Sequence, residues 1–139
     1  MLSKIGIILV LAMYLLSGVN KFLDFNGTVS ITSQKFPIKF PKWFFQLTIV
    51  GVVLLLTAGS SLLIYNEFTD KYADLAKVTT VLMIIFTILA TLMFHFPPIG
   101  KDKYHFQKNV SIIGAFFLIL SKLGGMDMTT IKSILGIVA

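Results

Sequence analysis

The stretch "WFFQLTIVGVVLLLTAGSSLLIY", residues 43–65, contains no charged side chain. A helix needs roughly 20 apolar residues to cross about 30 Å of hydrocarbon, so this run is long enough to span a bilayer. Trp43 and Tyr65 stand at its ends, where amphipathic rings settle at headgroup level. A run this long and uncharged, with aromatic ends, reads as a membrane span. The medium that buries it is lipid. The rest of the composition agrees: 56% of residues are hydrophobic and 13% charged, against roughly 25% charged in soluble domains.

Three more stretches have comparable character, at about residues 5–22, 75–94 and 106–123. The fourth is the shortest, because Lys108 and Lys122 bracket it. It crosses only if both lysines extend to the interface or Lys108 faces protein. The expected fold class is therefore all-α: a transmembrane four-helix bundle over residues 1–123, followed by a C-terminal interfacial helix in residues 124–139. In that tail a Gly-Gly break precedes Asp127 and Thr129 as cap candidates, then apolar Ile131, Ile134, Leu135 and Val138 at helical spacing. Residues 1–20 read as a span and not as a cleaved leader, since Ser17-Gly18-Val19 makes a poor cleavage site.

The connections carry their own signals. In the first, Asn26-Gly27 reads as a turn, followed by a short interfacial stretch that Pro37 and Pro41 end. Lys35, Phe36, Lys39, Phe40, Lys42 and Trp43 interleave charge with aromatic surface, a pattern suited to a headgroup zone. The second connection, residues 66–74, is short, so spans two and three are expected to be antiparallel neighbours. Lysine excess favours the two long connections on the cytoplasmic or matrix-like side, with both termini opposite.

Several function classes fall away. All the basic residues are lysines, and without arginine's bidentate fork nucleic acid is not an expected partner. There is no cysteine, so thiolate metal sites and iron–sulfur clusters are excluded. His95 and His105 lie in one Pro-Gly connection with no completing ligand set, which signals neither a metal centre nor an axial haem pair. No nucleophile-base arrangement is present, and no catalytic activity of its own is expected of the chain.

Alternating spans bring the end of span one, the start of span two, the end of span three and the start of span four to one side. The unusual polar residues concentrate there: Ser17, Asn20 and Lys21, then Gln46, then His95, then Lys108 and Asn109. Polar groups at membrane depth are costly and usually face the bundle interior or a wet cavity. This set is the candidate ligand site, and it would receive a quinone carbonyl or a phospholipid headgroup. The competing readings are lysines reaching for the interface and a structural polar cluster tying helices together, for instance Lys21 with Asp24. Gly18, Gly51, Gly59 and Gly114 are expected to serve close helix packing.

Two motifs carry a family resemblance. "LLSGVNKFLDF", residues 15–25, resembles the Ser-Gly-x-x-Lys-(apolar)-x-x-Phe pattern that ends span one in the DoxX family of four-span membrane proteins. "LMFHFPPIGKDKYHFQKNVSIIGAFFLIL", residues 92–120, is similar to that family's histidine after span three, its polar loop and its Phe-x-Lys-Asn entry to a glycine-containing fourth span. Matching positions are Ser17, Gly18, Lys21, His95, Phe106, Lys108, Asn109 and Gly114. The family's glutamate early in span two has no counterpart, with only Gln46 nearby, and no proton-handling role is carried over to that position. The resemblance implies a non-catalytic accessory subunit of a larger membrane assembly, such as a respiratory or other redox complex, with other integral membrane subunits and membrane lipids as partners. It equally implies a quinone-interacting redox subunit or a lipid- or cargo-binding adaptor. No intrinsic cofactor is expected beyond a bound quinone or phospholipid. The choice between mitochondrial inner membrane and cell membrane stays open.

Overall fold

A computed structural model describes residues 1–138, apart from the side chains at 133, 134, 137 and 138, so Ile134 and Val138 of the expected tail stripe lie outside the described residues. Every regular element among the described residues is helical: α1 Leu2–Leu23, α2 Phe25–Lys35, α3 Lys42–Thr69, α4 Ala73–His95, α5 Lys101–Lys122 and α6 Met128–Val138. Helices α1, α3 and α4 are long and apolar enough to cross a membrane. Helix α5 matches α1 in length, but its charged first turn and Lys108 set it apart from those three.

The exterior is far more apolar than that of a soluble domain, and several polar side chains lie inside among the apolar core. Leu9, Leu47, Leu89 and Leu118 are largely exposed, while Ser60, Asn66, Thr80, Thr87 and Thr91 are buried. In water such an apolar exterior would be unstable; in lipid it is the solvated surface, and the polar groups gather where protein partners can satisfy them. This exterior and the three long apolar helices together suit a membrane protein.

Helix α1 runs antiparallel to α3. Lys4 Nζ lies 5.3 Å from the centre of the Phe68 ring at one end of the pair. Gly18, fourteen residues later, packs on Leu56 and Thr57. A Cβ added to Gly18 would meet Thr57 Cγ2 at 2.7 Å and Leu56 Cβ at 2.9 Å. Both contacts belong to a π turn, Leu55–Gly59, within α3. Gly59 closes the other side of that turn, where a Cβ would sit 3.0 Å from Thr79 Cγ2 and 3.1 Å from Met83 Cε on α4. Two of the expected packing glycines therefore bring helices together. Gly51 and Gly114 are exposed with nothing within 4 Å, and they serve no such contact.

The core follows from these approaches. Ile7, Leu11, Tyr14 and Gly18 make the buried stripe of α1, and Ala76, Thr80, Met83, Thr87 and Thr91 that of α4. Fully buried Phe116 fixes α5 against them, its ring edge-on to Tyr14 at 5.0 Å. Lys122 pairs with the largely buried Glu67, tying the end of α5 to the end of α3. The α3–α4 connection is tight, as its length suggests. Asp70 takes a left-handed conformation and Asn66 Oδ1 accepts the Tyr72 N–H at 2.9 Å.

The first connection differs from its sequence reading. Asn26-Gly27 is not a turn but the opening of α2, which continues α1 after a break at Asp24. The Thr28 N–H and hydroxyl both donate to Asp24 O, so the new helix starts there. The Asp24 carboxylate folds so closely over Gly27 that a Cβ would meet its oxygens at 2.5 Å. Here the glycine makes room for the Asp24 carboxylate and does not reverse the chain. Helix α2 then packs on the first turns of α3 through Val29, Phe45 and Ile49, and reversal waits for residues 36–41.

The tail matches its expected start. Gly124 and Gly125 both adopt positive φ, which ends α5, and Asp127 Oδ1 accepts the Thr130 N–H and hydroxyl at 2.7 Å each. Those bonds hold the Asp127 carboxyl below the usual carboxylate range. Lys77 Nζ reaches Thr130 Oγ1 at 3.2 Å and docks the start of α6 on α4.

Candidate functional site

Hydrogen-bond direction can be worked out along the buried seam. Thr87 Oγ1 spends its one proton on Met83 O at 2.7 Å, so Tyr14 is the donor in its 2.6 Å bond to Thr87. Thr91 likewise donates to Thr87 O at 2.5 Å and accepts from Asn109 Nδ2 at 2.9 Å. Threonines on α4 thus bond back to their own helix and offer an acceptor outward, to α1 in one case and to α5 in the other. Interhelical bonds of this kind are worth about 0.6–2 kcal/mol each in a membrane.

These pairs also fix the relative heights of the helices. Tyr14 lies level with Thr87 and Phe116, and Asn109 with Thr91. Helices α1 and α4 run in parallel, so Lys21, His95, Lys108 and Asn109 all fall within about one to two turns of one another, roughly 10 Å from the Tyr14 level. Equal height is not contact. Lys21 Nζ donates to Ser17 Oγ at 2.9 Å on its own helix, Asn20 is exposed, and Lys108 makes no hydrogen bond or ion pair among the described residues. Lys21 with Asp24 is not among the ion pairs of the described residues.

Gln46 stands at the edge of this height range. Gly18 packs at Leu56 and Thr57, so Lys21 is level with about residue 53 of α3, and the Gln46 amide is roughly 10 Å further along that axis. The reason is α2: because it extends the first helical arm beyond Leu23, the start of α3 faces α2 and not α1.

His95 has a different set of neighbours. Its ring stacks on His105, centres 4.9 Å apart and planes 21° from parallel. Its Nδ1 lies 3.1 Å from Asp102 Oδ1, and because an ionised carboxylate only accepts, the ring N–H is the donor. That hydrogen bond is the main cause holding the Asp102 carboxyl below its ordinary range, with smaller contributions from the nearby charges of His95, Lys35 and His105. A lowered carboxyl stabilises the fold above its unfolded-state value and loses that contribution as pH falls through the folded one. The stability advantage of the wild type over Asp102→Asn is therefore expected to persist at neutral pH and to begin to decline below about pH 4. Thermal melts of both proteins across that range measure it; an advantage that grows on acidification would contradict the assignment.

Sequence reasoning did not single out Tyr14, Thr87, Thr91 or Asp102. Spacing held a signal for the first three: Leu11, Tyr14 and Gly18, and Thr80, Thr87 and Thr91, each recur at three-, four- or seven-residue intervals on one helical face. No group of three or more His, Cys, Asp or Glu residues among those described is arranged to hold a metal ion. Comparison with family models, with curated proteins and with solved structures finds no match to this chain.

Proposed function

We propose that this chain is a four-span, DoxX-like subunit with a scaffolding role in a larger membrane assembly, of the respiratory or other redox kind, in which α5 completes the bundle as the fourth crossing. The observation that carries this reading is the use made of its interhelical polar groups. Tyr14 with Thr87, Asn109 with Thr91 and Lys122 with Glu67 each bridge two helices. Groups so committed hold helices in register and leave little chemistry for a substrate. The broad apolar exterior supplies area for neighbouring subunits as well as for lipid.

A second reading, a quinone-interacting subunit, is favoured by the common height of Lys21, His95, Lys108 and Asn109. One preparation separates the two. Membranes solubilised in digitonin and run on a native gel are expected to show the chain co-migrating with larger partners and carrying no quinone in the excised band. Migration as a free monomer in every mild detergent would overturn the scaffold reading. Stoichiometric quinone that is lost in Lys21→Met would transfer support to the second.

A further inference from the structure

Helix α2 and the start of α3 border an open groove of about 480 Å³ that the candidate site above does not include. Asn26, Val29, Ser30 and Ser33 line it from α2. Their spacing of three, four and seven places them on one helical face. Phe40 and Phe45 supply an apolar floor with Val29, and Lys42 stands at the first residue of α3.

The polar groups on this lining have donors to spare. Ser33 Oγ donates to Ser30 O at 2.8 Å, whereas Ser30 Oγ accepts from Gln34 at 3.3 Å and keeps its own proton free. Among the described residues the Asn26 amide makes no hydrogen bond and Lys42 no ion pair. No carboxylate lines the groove, and the first turn of α3 holds no acid. The nearest acid of the connection, Asp24, is folded over Gly27. A hydroxyl, an amide and an ammonium group therefore converge with nothing of opposite charge, beside an exposed Trp43 and with Lys35 and Lys39 on the same connection.

We infer that this groove binds the phosphate of an anionic phospholipid headgroup, with Ser30, Asn26 and Lys42 as donors and the Val29–Phe40–Phe45 floor against the upper acyl chains. The shared chemistry is a phosphate oxyanion, and two features select the lipid over free phosphate. The floor is apolar, and the site lies where a bilayer-spanning helix begins, at the level of its interfacial tryptophan. This reading is independent of the scaffold assignment, since a lipid site at the interface suits a free protein or a subunit equally.

Native mass spectrometry of the purified full chain, titrated with phosphatidylglycerol, phosphatidylcholine or inorganic phosphate, tests it. Expected is saturable binding of one phosphatidylglycerol, weaker binding of phosphatidylcholine, and no competition from millimolar inorganic phosphate. Lys42→Gln is expected to weaken phosphatidylglycerol about fivefold, and Ser30→Ala with Asn26→Ala to weaken it further. Lys39→Gln, the same charge change outside the groove, is expected to leave affinity nearly unaltered. An equal loss in Lys39→Gln would mean a diffuse basic surface and overturn the site. Equal binding of the two lipids, or displacement by inorganic phosphate, would overturn the assigned ligand.

Discussion

Phe116→Ala is expected to be the most damaging single truncation in the chain. Phe116 is fully buried, and its ring meets Tyr14 edge-on at 5.0 Å while Tyr14 is bonded to Thr87. One side chain thus joins α5 to α1 at the point where α1 is joined to α4. Removing a buried phenylalanine from a soluble core costs about 3–5 kcal/mol, part of it transfer from water and part lost packing. In a bilayer the transfer part shrinks because lipid is itself apolar, so a loss of about 2–3 kcal/mol is expected here. SDS titration of the purified protein measures it. Phe117→Ala is the matched control: the neighbouring ring is 55% exposed and should tolerate truncation with little change. Equal losses for the two would mean that α5 presents a different face to the core.

Gly18→Val should come close to this through the opposite mechanism. A side chain at position 18 meets Leu56 Cβ at 2.9 Å and the Thr57 backbone nitrogen at 3.2 Å, besides Thr57 Cγ2. The first two sit at or next to the backbone and cannot swing aside, so α1 must move away from the π turn. Overpacking of this kind costs about 1–3 kcal/mol, and the upper part of that range is expected because the seam of Tyr14 and Thr87 lies one turn away. Gly51→Val, on the same scale of change but with open space around it, is expected to be neutral. Size-exclusion thermostability curves compare the pair. Thr57→Ser in the background of Gly18→Ala should recover part of the loss, because it removes the nearest methyl group.

The two substitutions show why the polar groups pair as they do. Gly18 and Gly59 let α1 and α4 approach α3 from either side of Leu55–Gly59. With α1 so placed, Tyr14 falls within 2.6 Å of Thr87, and with α5 seated by Phe116, Asn109 falls within 2.9 Å of Thr91. Small residues set the distance between helices, and hydrogen bonds then fix their height. Neither would suffice alone, since dispersion without polar pairing leaves helices free to slide, and polar pairing requires that the axes be close.

The amino-acid sequence by itself determined the helical class, the three helices long and apolar enough to cross a membrane, and the short α3–α4 connection. It also marked Asp127 and Thr129 as the cap candidates of the tail helix, of which the structure uses Asp127. Each of these is a local property: run length against bilayer thickness, loop length against helix spacing, and a side-chain oxygen three residues before an amide. The polar ends of the spans were legible as a group, but not their partners. Only the tertiary structure decided that Tyr14 pairs with Thr87, that His95 pairs with Asp102, and that Asn109 pairs with Thr91. Those outcomes depend on the height and rotation of each helix, which are fixed by contacts between residues far apart in the chain. The Asn26-Gly27 step shows the same thing in one residue. Its local preference was for a turn, and the bonds from Thr28 to the Asp24 carbonyl together with burial of Val29 against Phe45 and Ile49 drew it into α2 instead, carrying the start of α3 away from the end of α1.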